Sequence, residues 1–216
     1  MSNLLVLKNE VGMSDNAKID PYQNIWQNFI DGDDDALSSI YFEFFDMLLN
    51  FGMKYSSDRF LVEDCIQNLF VDLLKNRQTQ KKVHNIRFYL IKALRNQIAY
   101  EQRKIKKIVP VDNPDETDFR ISYSIENSLI SNETDEMQSR FLKMVMEGLT
   151  ARQKEALYLK FNCGFDYAQI SELMQINIES VRTMVYRTLK SIKEIFDTDG
   201  YSNLIFFSLF RFSKTC

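Results

Sequence analysis

Apolar residues recur along this chain at steps of three and four, with polar residues between them, so the pattern predicts helices almost throughout. It becomes regular from Asn24. After the turn at Asp31–Asp35, a helix is predicted from Ala36 to about Phe51, with Leu37, Ile40, Tyr41, Phe44, Phe45, Leu48 and Leu49 on one broad face. The next, roughly Asp58 to Lys75, repeats Val62, Cys65, Ile66, Leu69, Phe70, Leu73 and Leu74, and turns Glu63, Asp64, Gln67, Asn68 and Asp72 the other way. A third, Asn85 to Lys107, buries Ile86, Leu90, Leu94 and Ile98. Round that helix lie Phe88, Lys92, Arg95, Asn96 and Arg103, with Tyr89 and Tyr100 nearby, at least one of these aromatics completing the core.

Periodicity resumes near Glu136, where Met137, Phe141, Met144 and Val145 share a face. Thr150 and Gln153 have the spacing of a capping box, and Ala156, Leu157, Leu159 and Phe161 continue an apolar side until Cys163 and Gly164 end the helix. From Asp166 to Lys193 the sequence predicts a helix-turn-helix. Asp166 and Gln169 can close a second capping box ahead of Ile170, Leu173 and Met174; Asn177 can cap the following helix, which aligns Val181, Val185, Leu189, Ile192 and Phe196. The turn falls at Gln175, where such motifs prefer glycine because the chain needs a backbone conformation that side chains resist.

Six glycines, three prolines and little strand-like alternation make the chain all-α in expectation, and 216 residues suit two small helical domains. Cys65, Cys163, Cys216 and the single His84 are too scattered for a disulfide framework or a metal site, so no metal and no cofactor is expected and the compartment reads as reducing. The N-terminus lacks the pattern of a signal peptide and no stretch reaches the ~20 apolar residues of a membrane span, which points to a cytoplasmic protein.

Net charge is −3, which argues against a generic nucleic-acid coat. Charge is nevertheless segregated: Asp31 to Asp72 holds ten acidic residues against two basic, while Asn85 to Lys107 holds seven basic against one acidic. One surface is therefore suited to a protein and another to phosphate. On the last helix, the face opposite the apolar stripe carries Ser180, Arg182, Thr183, Tyr186, Arg187 and Lys190, donors suited to phosphate oxygens and base edges in a major groove. Aromatics set among cations on the Asn85–Lys107 helix suit single-stranded nucleic acid, because bases stack on rings while cations follow the backbone. No phosphate-binding loop, nucleophile pair or ligand-spaced cluster marks an enzyme.

Taken in order, EDCIQNLFVDLL at Glu63–Leu74, NIRFYLIKALRN at Asn85–Asn96, LTARQKEALYLKF and DYAQISELMQINIESVRTMVYRTLKSIK make the chain resemble an RNA polymerase sigma-70 family protein of the extracytoplasmic-function type. The resemblance spans about Ile25 to Phe196. It implies a region 2 helical bundle and a region 4 helix-turn-helix domain joined by a linker. It further implies that Asp64, Gln67 and Asn68 dock on core RNA polymerase, that Asn85, Phe88, Lys92, Arg95, Asn96 and Arg103 capture unpaired bases of the minus-10 promoter element, and that Ser180, Arg182, Thr183, Tyr186, Arg187 and Lys190 read the minus-35 element. Promoter DNA, core polymerase and an anti-sigma factor are the implied partners, and bond formation is left to the polymerase.

The expected organisation is a flexible N-terminus (1–22), region 2 (23–107), an acidic linker (108–135), region 4 (136–196) and an apolar tail (197–216). Between Asp112 and Glu136 the chain carries eight acidic residues against one basic, with Pro114 among them, which suits a linker. Two other readings compete: an autonomous helix-turn-helix repressor, which leaves the basic aromatic helix and the acidic face without a role, and a helical adaptor that binds only proteins.

Overall fold

The computed structural model describes residues 21–79, 83–108, 119 and 144–198. The expected N-terminal arm, nearly all of the linker and most of the apolar tail lie outside these residues. Every regular element among the described residues is helical: α1 (Gln23–Ile30), α2 (Asp34–Gly52), α3 (Arg59–Lys75), α4 (Ile86–Ile108), α5 (Ala151–Leu157), α6 (Tyr167–Met174) and α7 (Ile178–Thr198), with a 3₁₀ turn at Arg77–Thr79. No described helix is long and apolar enough to cross a membrane.

Short polar side chains start most of these helices. Asp33 accepts from the amides of Asp35 and Ala36, Asp58 from Leu61, Asn85 from Phe88 and Asn177 from Ser180. The expected capping boxes close at Thr150–Gln153 and Asp166–Gln169. Each such cap satisfies amides that the first helical turn leaves without carbonyl partners, a contribution of about 1 kcal/mol.

Helices α1 to α4 form the first domain. The stripe of Ile86, Leu90, Leu94 and Ile98, joined by Ile91, is fully buried against α2 and α3. Each such side chain removed from water contributes roughly 1.5–3 kcal/mol. Trp26 packs edge-on to Tyr89, and Tyr41 edge-on to Phe70, which fixes α1 on α4 and α2 on α3. At the end of α2, Gly52 leaves room for Val62.

Helices α5 to α7 form the second domain around Ala156, Leu159, Phe165, Ile170, Leu173, Val181, Val185 and Ile192. Ser171 Oγ donates to the Ile176 carbonyl, tying the turn of the helix-turn-helix. Gln175 occupies that turn at φ 55° and ψ 41°, the left-handed conformation for which glycine was expected.

Four details depart from the sequence pattern. Leu74 is exposed, because Leu69, Phe70 and Leu73 take the core-facing positions and the next residue lies about 100° further round the helix. Met144 is exposed too, the inward positions of that short turn going to Val145 and Met146. The helix begun at Ala151 does not stay α to its end: it widens into a π turn at Tyr158–Asn162, which shifts the register so that Leu159, Cys163 and Phe165 all point inward. Phe119, inside the expected linker, is buried, its ring 5.0 Å from Tyr55 and 5.7 Å from Tyr158.

Candidate nucleic-acid interface

Helix α7 carries its two faces as its spacing demands. Val181, Val185 and Ile192 are buried, while Ser180, Arg182, Thr183, Tyr186, Arg187 and Lys190 are all exposed along the opposite side. The side chain of Phe196 lies outside the described residues. Thr188, buried at an unexpected place, donates its hydroxyl to the Met184 carbonyl at 2.8 Å and so enters the core with its polarity satisfied. Glu179 accepts from Arg182 at 2.9 Å, and Glu194 lies 3.7 Å from Lys190. Both pairs are exposed and therefore weak, so phosphate can displace the carboxylates.

Two residues that periodicity did not single out brace this face. Tyr167, the first residue of α6, lies between Lys160 Nζ at 4.6 Å from its ring centroid and Arg182 Cζ at 5.6 Å. Burial pushes the Tyr167 phenol up from its usual range, with Arg182 opposing. Burial also lowers Lys160, with Asp166 opposing, and its ammonium donates to the Phe165 carbonyl.

The other predicted nucleic-acid face has a different setting. Asn96 and Arg103 are exposed on α4, Arg103 bonding back to the Ala99 carbonyl, and Asn85 serves as the helix cap. Phe88, Lys92 and Arg95 are turned toward the second domain. The Phe88 ring meets Phe165 edge-on with centroids 5.3 Å apart, Lys92 is ion-paired with Glu172, and Arg95 reaches Glu155 at 3.2 Å. Glu155 is buried, and Tyr55 donates its hydroxyl to the same carboxylate oxygen at 2.7 Å. Burial, reinforced by Glu155, pushes the Tyr55 phenol well above its usual range. Burial works against the charge on Arg95, but Tyr55 and Glu155 outweigh it and raise its pKa.

On α3 the side chains of Asp64, Gln67 and Asn68 are all exposed, on the face opposite Val62, Cys65, Ile66 and Leu69. Among the described residues no group of three or more acidic, histidine or cysteine side chains could hold a metal ion.

Residues 142–192, which contain the helix-turn-helix and its supporting helix, match the family model of sigma-70, region 4. The chain also superposes on the sigma factor RpoE from Bartonella quintana, solved with the anti-sigma factor NepR, with a TM-score of 0.50 at 22% identity over 75% of this chain and 97% of that one. The second domain thus carries a sigma-70 region 4 sequence match, and the described fold is shared with a solved sigma factor. A second solved relative in fold is CnrH in complex with the cytosolic domain of CnrY, with a TM-score of 0.51 at 12% identity over 83% of this chain and 99% of that one. No curated protein matches the chain by sequence. Helices α5 to α7 fall within the region 4 match apart from the last residues of α7, and the exposed donors Ser180 to Lys190 all lie inside it.

Proposed function

We propose that this protein is a transcription initiation factor that binds core RNA polymerase and directs it to specific promoters. The observation that carries the proposal is the row Ser180, Arg182, Thr183, Tyr186, Arg187 and Lys190, exposed together on the second helix of a helix-turn-helix inside a region 4 match. A helix so placed can lie in a major groove with its donors at base edges and phosphates, which suits reading of the minus-35 element. Asn85, Phe88, Lys92, Arg95, Asn96 and Arg103 would hold unpaired minus-10 bases, offsetting an unpairing cost of about a few kcal/mol per base.

The exposed Asp64, Gln67 and Asn68 form the docking face for polymerase. Bond formation belongs to the polymerase, so the factor works as a cytoplasmic binding protein. An anti-sigma factor is its regulator in this reading, in line with the complexes in which the two solved relatives were captured.

Charge reversal tests the assignment of faces. Arg182→Glu with Arg187→Glu is expected to abolish transcription from a promoter the wild type uses while leaving association with core polymerase intact. Asp64→Lys with Asn68→Lys is expected to do the reverse, weakening polymerase association in a protein whose helical content is unchanged. Promoter use that survives the arginine reversal would remove α7 from promoter reading.

A further inference from the structure

The row of donors on α7 has an acid in its middle. At about 100° per residue, Glu179 lies within roughly 40° of Thr183, Tyr186 and Lys190 round the helix, with Arg182 to one side and Ser180 and Arg187 to the other. Its side chain is 77% exposed and accepts from Arg182 at 2.9 Å. The turn that precedes it is set by the left-handed Gln175 and by Asn177, which caps the Ser180 amide, so the helical turn that carries Glu179 is fixed in place.

An acid at the centre of a face laid against DNA is repelled by phosphate whatever the sequence. The first turn of a helix favours negative charge, but an acid at Ile178 would serve that purpose as well and would stand about 100° away from the centre of the face. What the central position offers is contact with base edges. A carboxylate only accepts hydrogen bonds. In the major groove guanine and thymine present acceptors, adenine sets an acceptor beside its amine, and cytosine presents its N4 amine alone. Cytosine is therefore the base that an acid meets without repulsion. Arg182 is the complement, a donor-only group beside the acceptor-only Glu179. A C·G pair shows the reverse arrangement in the groove, the cytosine amine next to the guanine O6.

We infer that Glu179 is a specificity-determining residue, its carboxylate accepting from the N4 amine of a cytosine and so requiring a C·G pair at one position of the upstream promoter element. The inference rests on the placing of α7 in a major groove made under the proposed function. In the free protein Arg182 satisfies the carboxylate, and on the matching pair the two side chains turn to cytosine and guanine.

The test assembles the full chain with core RNA polymerase and offers the complex a pool of promoter duplexes randomised across the upstream element, at one salt concentration. Bound duplexes are sequenced. The proteins are the wild type, Glu179→Ala, Glu179→Gln and, as the control for mere loss of a negative charge on the same helix, Glu194→Gln. Overall affinity is not the readout, because removing any acid near DNA strengthens binding to every sequence. Base preference at each position is.

The wild type is expected to enrich C·G at one position by about five- to tenfold over the other pairs. Glu179→Ala is expected to lose the preference at that position alone. Glu179→Gln is expected to replace it with A·T, since an amide can bond adenine N6 and N7 together. Glu194→Gln should match the wild type at every position. Loss of the C·G preference at that one position in both Glu179 variants sustains the inference. A wild-type element without a preferred C·G pair, or one whose preferences survive in Glu179→Ala, overturns it and leaves promoter reading by α7 standing. Preferences lost at every position at once in the Glu179 variants would make the residue a support for the helix and overturn it too. No enriched element with the wild type strikes the proposed function itself, and the inference falls with it.

Discussion

Arg182 of α7 lies over the ring of Tyr167 on α6, its Cζ 5.6 Å from the centroid, and so one side chain of the row proposed to read DNA is oriented by the helix in front of it. A cation held over an aromatic face contributes about 0.5–1 kcal/mol at an exposed site, which corresponds to roughly two- to fivefold in affinity. Tyr167→Ala is therefore expected to weaken binding of a minus-35 duplex by the polymerase-bound factor by that factor, and Tyr167→Phe to preserve it. Equal binding by wild type and Tyr167→Ala, in a competition assay at one salt concentration, would deny the ring any positioning role.

Gln175 offers a test of the turn. A side chain in the left-handed region carries a steric cost that glycine avoids, and Gln175 is exposed with φ 55°, so nothing else is lost on replacing it. Gln175→Gly is expected to stabilise the second domain by about 0.5–1 kcal/mol, and Gln175→Ile to destabilise it by roughly 1–2 kcal/mol. Urea unfolding followed by circular dichroism reads both, and a loss of stability in the glycine variant would contradict the account.

The helix positions and their inward faces were legible from periodicity because α2, α3, α4 and α7 each bury one side. The α4 stripe Ile86, Leu90, Leu94 and Ile98 is the plainest case. The exposed row Ser180 to Lys190 followed from the same argument read from the other side of α7. The π turn at Tyr158–Asn162 was not legible, since one extra residue in a turn leaves the local composition unchanged. Nor was the pairing of Arg95 with Glu155, which lie 60 positions apart, because a sequence pattern records which face of a helix is polar and not what meets it. A signal did exist: Glu155 stands one turn before Leu159, in an apolar register, where an acid needs a buried partner.

Gly52 sits at a close approach within the first domain. A Cβ there would lie 2.4 Å from Val62 Cγ1 and 3.3 Å from Ile98 Cδ1, with both neighbours themselves buried. Alanine is the better helix former by about 1 kcal/mol, yet overpacking costs typically 1–3 kcal/mol, so packing wins. Gly52→Ala is expected to lower the stability of the first domain, and Gly52→Ala with Val62→Ala to recover part of the loss. Thermal melts of the three proteins decide it; a more stable single variant is the contrary result.

Burial pushes the Cys65 thiol up from 9.0 to about 11, with Glu101 and Asp64 adding to the effect. The raised value belongs to the folded state. Its contribution to stability is thus complete below the unfolded value of 9.0 and is lost as pH rises toward about 11. Between about pH 8 and pH 10 the wild type is expected to lose more stability than Cys65→Ala, because only the wild type has a thiol that unfolding releases to ionise. Parallel losses in the two proteins, measured by urea midpoints, would place the alkaline sensitivity elsewhere.

The most direct test of the central claim is association of the purified protein with core RNA polymerase, scored together with promoter opening by a fluorescent base analogue in the minus-10 element. The predicted result is a stable complex and a rise in base fluorescence that requires both protein and polymerase and disappears with Arg182→Glu and Arg187→Glu. Tight duplex binding by the protein alone, with no polymerase complex and no opening, would contradict the account and leave an autonomous repressor in its place.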